Sequence, residues 1–195
     1  MSLIHLSLLG GFRAAVDGKA VSPDTWGNRR AVQLVKLLGV SRNGSRPRDA
    51  VLDLLWSQLD PDGAAAQLHK AASLARKALG ATDAVAIRGG RVSLGPDVSV
   101  DVSRFETAAI EAGGDPAACA EALAFYAGPL LPDDIDEPWT AGPRTRLAER
   151  YRALLRSTGR WQALLQADPT DEEAFRALAD GAEPRVVLEQ YERLE

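Results

Sequence analysis

The sequence predicts an α+β N-terminal half followed by an all-α C-terminal half, and three observations carry that expectation. The first is residues 63–79, GAAAQLHKAASLARKAL, where Leu68, Ala72, Ala75 and Leu79 recur at the spacing that lines one side of a helix. The second is a pair of short strand-forming runs, 85–88 and 91–94, separated only by Gly89-Gly90, which is the signature of a tight hairpin. The third is a shift at residue 103 to alanine-rich segments with helical periodicity.

Taken in order, residues 3–9 read as a strand closed by Gly10-Gly11. Residues 12–16 read as a second strand, and Asp17-Gly18 as a hairpin turn into a short strand at Ala20-Val21. Together these predict a small antiparallel sheet. Asn28 is placed to cap a helix running to about Val40, with Val32, Val35 and Leu38/Gly39 on one side. Pro47 suits the first turn of a helix over 48–57, whose apolar side is Val51, Leu52, Leu55 and Trp56. Residues 60–63, DPDG, read as a turn before the alanine-rich helix. The resulting order of sheet, helix, helix, basic helix and basic hairpin is that of a winged helix-turn-helix. In that fold the last helix enters the DNA groove and the hairpin reaches backbone or minor groove.

Charge is distributed unevenly. The whole chain carries −4, yet residues 1–104 hold 14 Lys and Arg against 9 Asp and Glu, while residues 105–195 hold 9 against 18. A basic half joined to an acidic one points to a nucleic-acid-binding module attached to something else. Cys119 is the single cysteine, which excludes an intrachain disulfide and suits a cytoplasmic setting; its alanine-rich neighbours suggest a small buried residue. The opening apolar run is too short to span a bilayer and lacks a cationic flank, so neither a signal peptide nor a membrane partner is expected.

On the 63–79 helix, Lys70, Ser73 and Lys77 point away from the apolar stripe, His69 and Arg76 lie on one flank, and no acidic residue interrupts. The alanine backing lets this helix sit close to its support. A solvated amphipathic helix is the plain alternative. The candidates for reading base edges are Gln67, Lys70, Ser73 and His69. Lys donates to guanine O6 and N7, Gln pairs with adenine, and Ser serves either. The candidates for phosphate contact, which is salt-dependent and sequence-blind, are Arg29, Arg30, Arg46, Arg48, Lys77, Arg88 and Arg91. Leu74, beside the polar face, is open to thymine-methyl contact or to packing on another protomer. Asp133, Asp134, Asp136 and Glu137 cluster in a proline-bounded segment that reads as a solvated loop. There is no P-loop, GxGxxG, HExxH, CxxC or GxSxG, and only His5 and His69 are available for acid–base work. No enzyme activity, cofactor or metal is expected.

Two segments carry a family resemblance. LLWSQLDPDGAAAQLHKAASLARKALG followed by VAIRGGRVSLGPDVSVDVSRFE resembles the OmpR-type winged helix of the SARP class of bacterial transcriptional regulators. Further on, the GPLLP…EPW and DPTDEEAFRAL segments resemble the bacterial transcriptional activation domain of the same class, an all-α set of tetratricopeptide-like helical hairpins. The resemblance implies a winged helix-turn-helix DNA-binding domain over 1–102 and an activation domain over 103–195, as in the N-terminal part of a large multidomain member. It further implies double-stranded promoter DNA with direct repeats, a homodimer on DNA, and RNA polymerase holoenzyme as partner. In the repeats, helices are expected at 103–112 and 116–126. The last hairpin departs from the pattern, because Asp180-Gly181 and Pro184 interrupt it before VVLEQYERLE.

Two other readings compete. One is a helical-repeat interaction module whose N-terminal head is structural and binds no DNA. The other is an enzyme fragment using Asp133 and Asp136 in a metal-dependent hydrolysis.

Overall fold

A computed structural model describes residues 3–181. The expected Pro184 break and the VVLEQYERLE helix lie outside the described residues. The chain forms two compact units, Met1–Thr107 with Phe125–Thr145, and Ala108–Ala124 with Arg146–Glu195. The first unit takes in residues 125–145, beyond the boundary at 102/103 that the family resemblance implies.

In the first unit, β1 (Ile4–Ser7) and β2 (Arg13–Val16) pair antiparallel, and β3 (Lys19–Ala20) follows through a turn with Asp17 and Gly18 both at positive φ. The sheet is not purely antiparallel as expected. A further strand, β7 (Val98–Val100), lies parallel to β1, giving the order β3-β2-β1-β7. Its three residues are too few for alternation to register as a strand. After Trp26, which packs edge-on against Phe12 with ring centroids 5.5 Å apart, α1 (Arg29–Gly39) begins. Asn28 caps it, its side chain accepting from the Ala31 N–H at 2.8 Å. Ala31, Leu34, Val35, Leu37 and Leu38 are all fully buried, a wider apolar face than the single stripe expected.

A second sheet sets the wing: its hairpin over 85–88 and 91–94 stands where the sequence places it, and a third strand, unexpected from the sequence, joins it. The strand β4 (Ser45–Pro47) pairs with β6 (Arg91–Leu94), which pairs with β5 (Val85–Arg88). Pro47 is therefore the end of a strand and the residue before α2 (Arg48–Trp56), not part of that helix. Next comes α3 (Pro61–Ala78), which starts two residues earlier than expected and so includes Asp62. Asp60, read as part of a turn, is its N-cap and accepts from the Gly63 N–H at 2.9 Å. The stripe Leu68, Ala72, Ala75 and Leu79 is fully buried, joined by Ala64 and Ala71. This face packs on α1 and, near the helix start, on α2.

The segment around 128–131 is tied to the end of β1. Gly10 N–H donates to Pro129 at 2.9 Å, and Leu131 N–H to Leu8 at 2.9 Å. Gly10 has φ +76°, and a Cβ there would lie 2.9 Å from the Ala127 carbonyl oxygen, so glycine is required on two counts. Arg144 donates to the carbonyls of Leu130 and Leu131 at 3.1 and 3.0 Å. Trp139 is buried.

The helices α4 (Asp101–Glu111), α5 (Pro116–Leu123), α6 (Pro138–Ser157), α7 (Trp161–Ala167) and α8 (Glu172–Gly181) make up the alanine-rich remainder. Cys119 is buried and unpaired. In the second unit, Asp171 caps α8 through the Ala174 N–H at 3.0 Å and pairs with Arg156. Asp168 accepts from the Thr170 hydroxyl at 2.8 Å and from Arg152 at 2.7 Å. These bonds hold both carboxyls below the usual carboxylate range. The chief causes are the Thr170 hydroxyl and N–H for Asp168 and the Ala174 N–H for Asp171, with the arginines adding to each. A depressed folded-state pKa adds stability that is complete above the ordinary carboxylate value and lost as pH falls through the folded one. The α8 end of this unit should therefore stay folded down to about pH 4 and loosen below it. Asp171→Asn, which keeps the cap but not the charge, should flatten that acid limb in a circular-dichroism titration. An unchanged limb would contradict the assignment.

Candidate nucleic-acid interface

With Leu68 and its alanines buried, the opposite side of α3 is left to Gln67, His69, Lys70, Ser73 and Lys77, all exposed. Among the described residues no ion pair engages Lys70 or Lys77, and from residue 63 to the end of the helix no carboxylate stands among the five. Leu74 behaves otherwise. It is half-buried, and a Cβ on Gly27 would sit 3.0 Å from its Cδ2, so this leucine packs on the turn before α1 instead of projecting outward. Arg76, expected on the flank, donates from Nε to the Val85 carbonyl at 2.7 Å and is a strut between α3 and β5.

The wing presents Arg88 and Arg91, both exposed, facing each other across Gly89-Gly90. Both glycines have positive φ, 56° and 70°, as a two-residue turn of this hand requires. Arg91 donates from Nε to the Ser45 hydroxyl at 3.0 Å. Arg46, half-buried on β4, donates to the Ser41 hydroxyl at 3.1 Å. The Arg48 N–H donates to the Gly90 carbonyl at 2.8 Å, while its guanidinium lies 3.4 Å from Asp49. The unforeseen strand β4 is what gathers Arg46, Arg48 and Arg91 beside the wing. A three-residue run ending in proline carries no strand signal of its own.

Arg29 and Arg30 open α1, both exposed. Arg30 donates to Gln33 at 2.8 Å, and Arg29 lies 3.0 Å from Glu137. The acidic segment is therefore not the fully solvated loop expected. Asp133 and Asp136 are exposed, but Asp134 is buried and pairs with Lys36 at 2.6 Å, and Glu137 also accepts from Gln33 and from the Trp139 indole N–H. Lys36 additionally lies 5.2 Å from the Phe12 ring centroid. These pairs join residues about a hundred positions apart, so nothing local in the sequence announces them.

Among the described residues no helix is long and apolar enough to cross a membrane. No family model matches the chain. It is 32% identical over 162 residues to the transcriptional regulatory protein EmbR of Mycobacterium bovis and of two Mycobacterium tuberculosis strains, spanning 75% of this chain and 41% of each relative. The structure of Mycobacterium tuberculosis EmbR in complex with a low affinity phosphopeptide superposes with a TM-score of 0.69 at 25% identity, covering 92% of this chain and 54% of that one. In sequence and in fold, the chain is thus similar to roughly half of a longer transcriptional regulatory protein.

Proposed function

We propose that this chain is the DNA-binding and activation part of a SARP-type transcriptional regulator, with residues 1–102 as the DNA-binding head and 103–195 as a tetratricopeptide-like activation domain. The observation that carries the reading is the exposed, carboxylate-free strip Gln67, His69, Lys70, Ser73 and Lys77 on α3, in the same compact unit as the arginine-tipped wing. In this reading Gln67, Lys70 and Ser73, with His69 at the flank, meet base edges. Lys77 and the arginines 29, 30, 46, 48, 88 and 91 meet phosphates. Similarity to EmbR supports a regulatory role. Binding to promoter direct repeats as a dimer, contact with RNA polymerase, a cytoplasmic setting and the lack of an enzymatic role belong to the same proposal.

Each phosphate neutralised releases condensed counterions, so affinity for an arbitrary duplex should fall steeply with salt. With about six to ten phosphate contacts the fall between 50 and 200 mM salt is roughly 10³- to 10⁵-fold. Fluorescence anisotropy on random duplex DNA measures it. Absence of binding at low salt would favour the interaction-module reading, in which the head is only structural.

A further inference from the structure

We propose that Glu137 tempers the DNA affinity of the head: it competes with backbone phosphate for Arg29 and so weakens binding to duplex DNA whatever its sequence. The inference rests on the reading of this head as a DNA-binding domain, and it concerns residues of one compact unit. Arg29 is the first residue of α1, and its side chain is 80% exposed, whereas that of Glu137 is 17% exposed. The carboxylate is fixed from two further directions, by the Trp139 indole N–H at 3.1 Å and by the Gln33 side-chain amide. The partners are therefore unequal: a held anion, and a cation that is free to swing away.

The neighbouring pair behaves differently. Lys36 and Asp134 are 2.6 Å apart with only 11% and 9% of their side chains exposed, a buried pair that ties the acidic segment to α1. That buried pair does the structural work, which leaves the Arg29–Glu137 pair exchangeable. An exposed ion pair of this kind shifts an equilibrium by up to about fivefold. A phosphate that draws Arg29 off Glu137 must first overcome this hold, and it leaves a carboxylate near the polyanion. Because a phosphate contact is sequence-blind, this toll falls on any duplex whose backbone reaches the start of α1.

The test uses the whole chain and a random-sequence duplex, with affinity followed against salt. Glu137→Gln removes the charge. Glu137→Asp keeps it but withdraws the carboxylate by one methylene, so a gain there has no origin in net charge. Both variants are expected to bind roughly two- to fivefold more tightly at low salt, with a salt slope steeper by up to about one unit. Adding Arg29→Gln should abolish the gain. Unchanged affinity in both variants, or a gain that persists with Arg29→Gln, overturns the proposal while DNA binding stands. A wild-type chain that binds no duplex overturns the DNA-binding reading, and this inference with it. Should Glu137→Gln melt early, Glu137→Asp with and without Arg29→Gln decides the matter alone.

Discussion

Leu68→Ala is expected to cost the chain about 2–5 kcal/mol of folding stability. Leu68 is fully buried, and the rest of the inner face of α3 through Ala75 is alanine, at positions 64, 71, 72 and 75. The alanines bring the α3 backbone close to α1 but fill little space, so Leu68 is the one large side chain in the middle of that seam. Its removal leaves a void that the alanines flanking it on α3 are too short to fill. Thermal unfolding should fall by roughly 5–15 °C, and denaturant titration should show the same loss. A cost under about 1 kcal/mol would mean that α3 is seated some other way.

The second large effect is expected at Lys70. Its side chain is exposed near the middle of the strip of α3, and among the described residues no ion pair engages it. A lysine there donating to guanine O6 and N7 is worth about 1–3 kcal/mol of discrimination between right and wrong bases. Lys70→Ala should therefore weaken binding to a selected duplex by roughly 10- to 100-fold, and binding to random DNA far less. Arg91→Ala should behave differently. Arg91 is at the edge of the wing, anchored to Ser45 at 3.0 Å, and a phosphate contact there is sequence-blind. Its loss should lower both affinities about equally.

Much of the head was legible because its signals are local. The spacing of Leu68, Ala72, Ala75 and Leu79 located α3, Gly89-Gly90 located the wing, and Asn28 located the start of α1. What escaped the sequence is non-local. The strands β4 and β7 have three residues each and exist only through partners in other strands. Asp60 and Pro61 looked like turn residues because N-cap and turn chemistry use the same residue types. Leu74 was read as outward from helical angle alone, since the turn at Gly27 that covers it lies 47 positions earlier. The same limit hid the Lys36–Asp134 and Arg29–Glu137 pairs. Charge counting registered an acidic cluster, and periodicity had no means of matching it to α1.

The account depends on α3 entering the major groove with its cationic strip foremost. The most direct measurement compares Lys70→Ala with the parent chain on two duplexes, one enriched by the parent from a random pool and one unselected, at the same salt. The account predicts a loss at least about tenfold larger on the enriched duplex. Equal losses on the two would mean that Lys70 touches only backbone phosphate, and would contradict the assignment of this helix face to the groove.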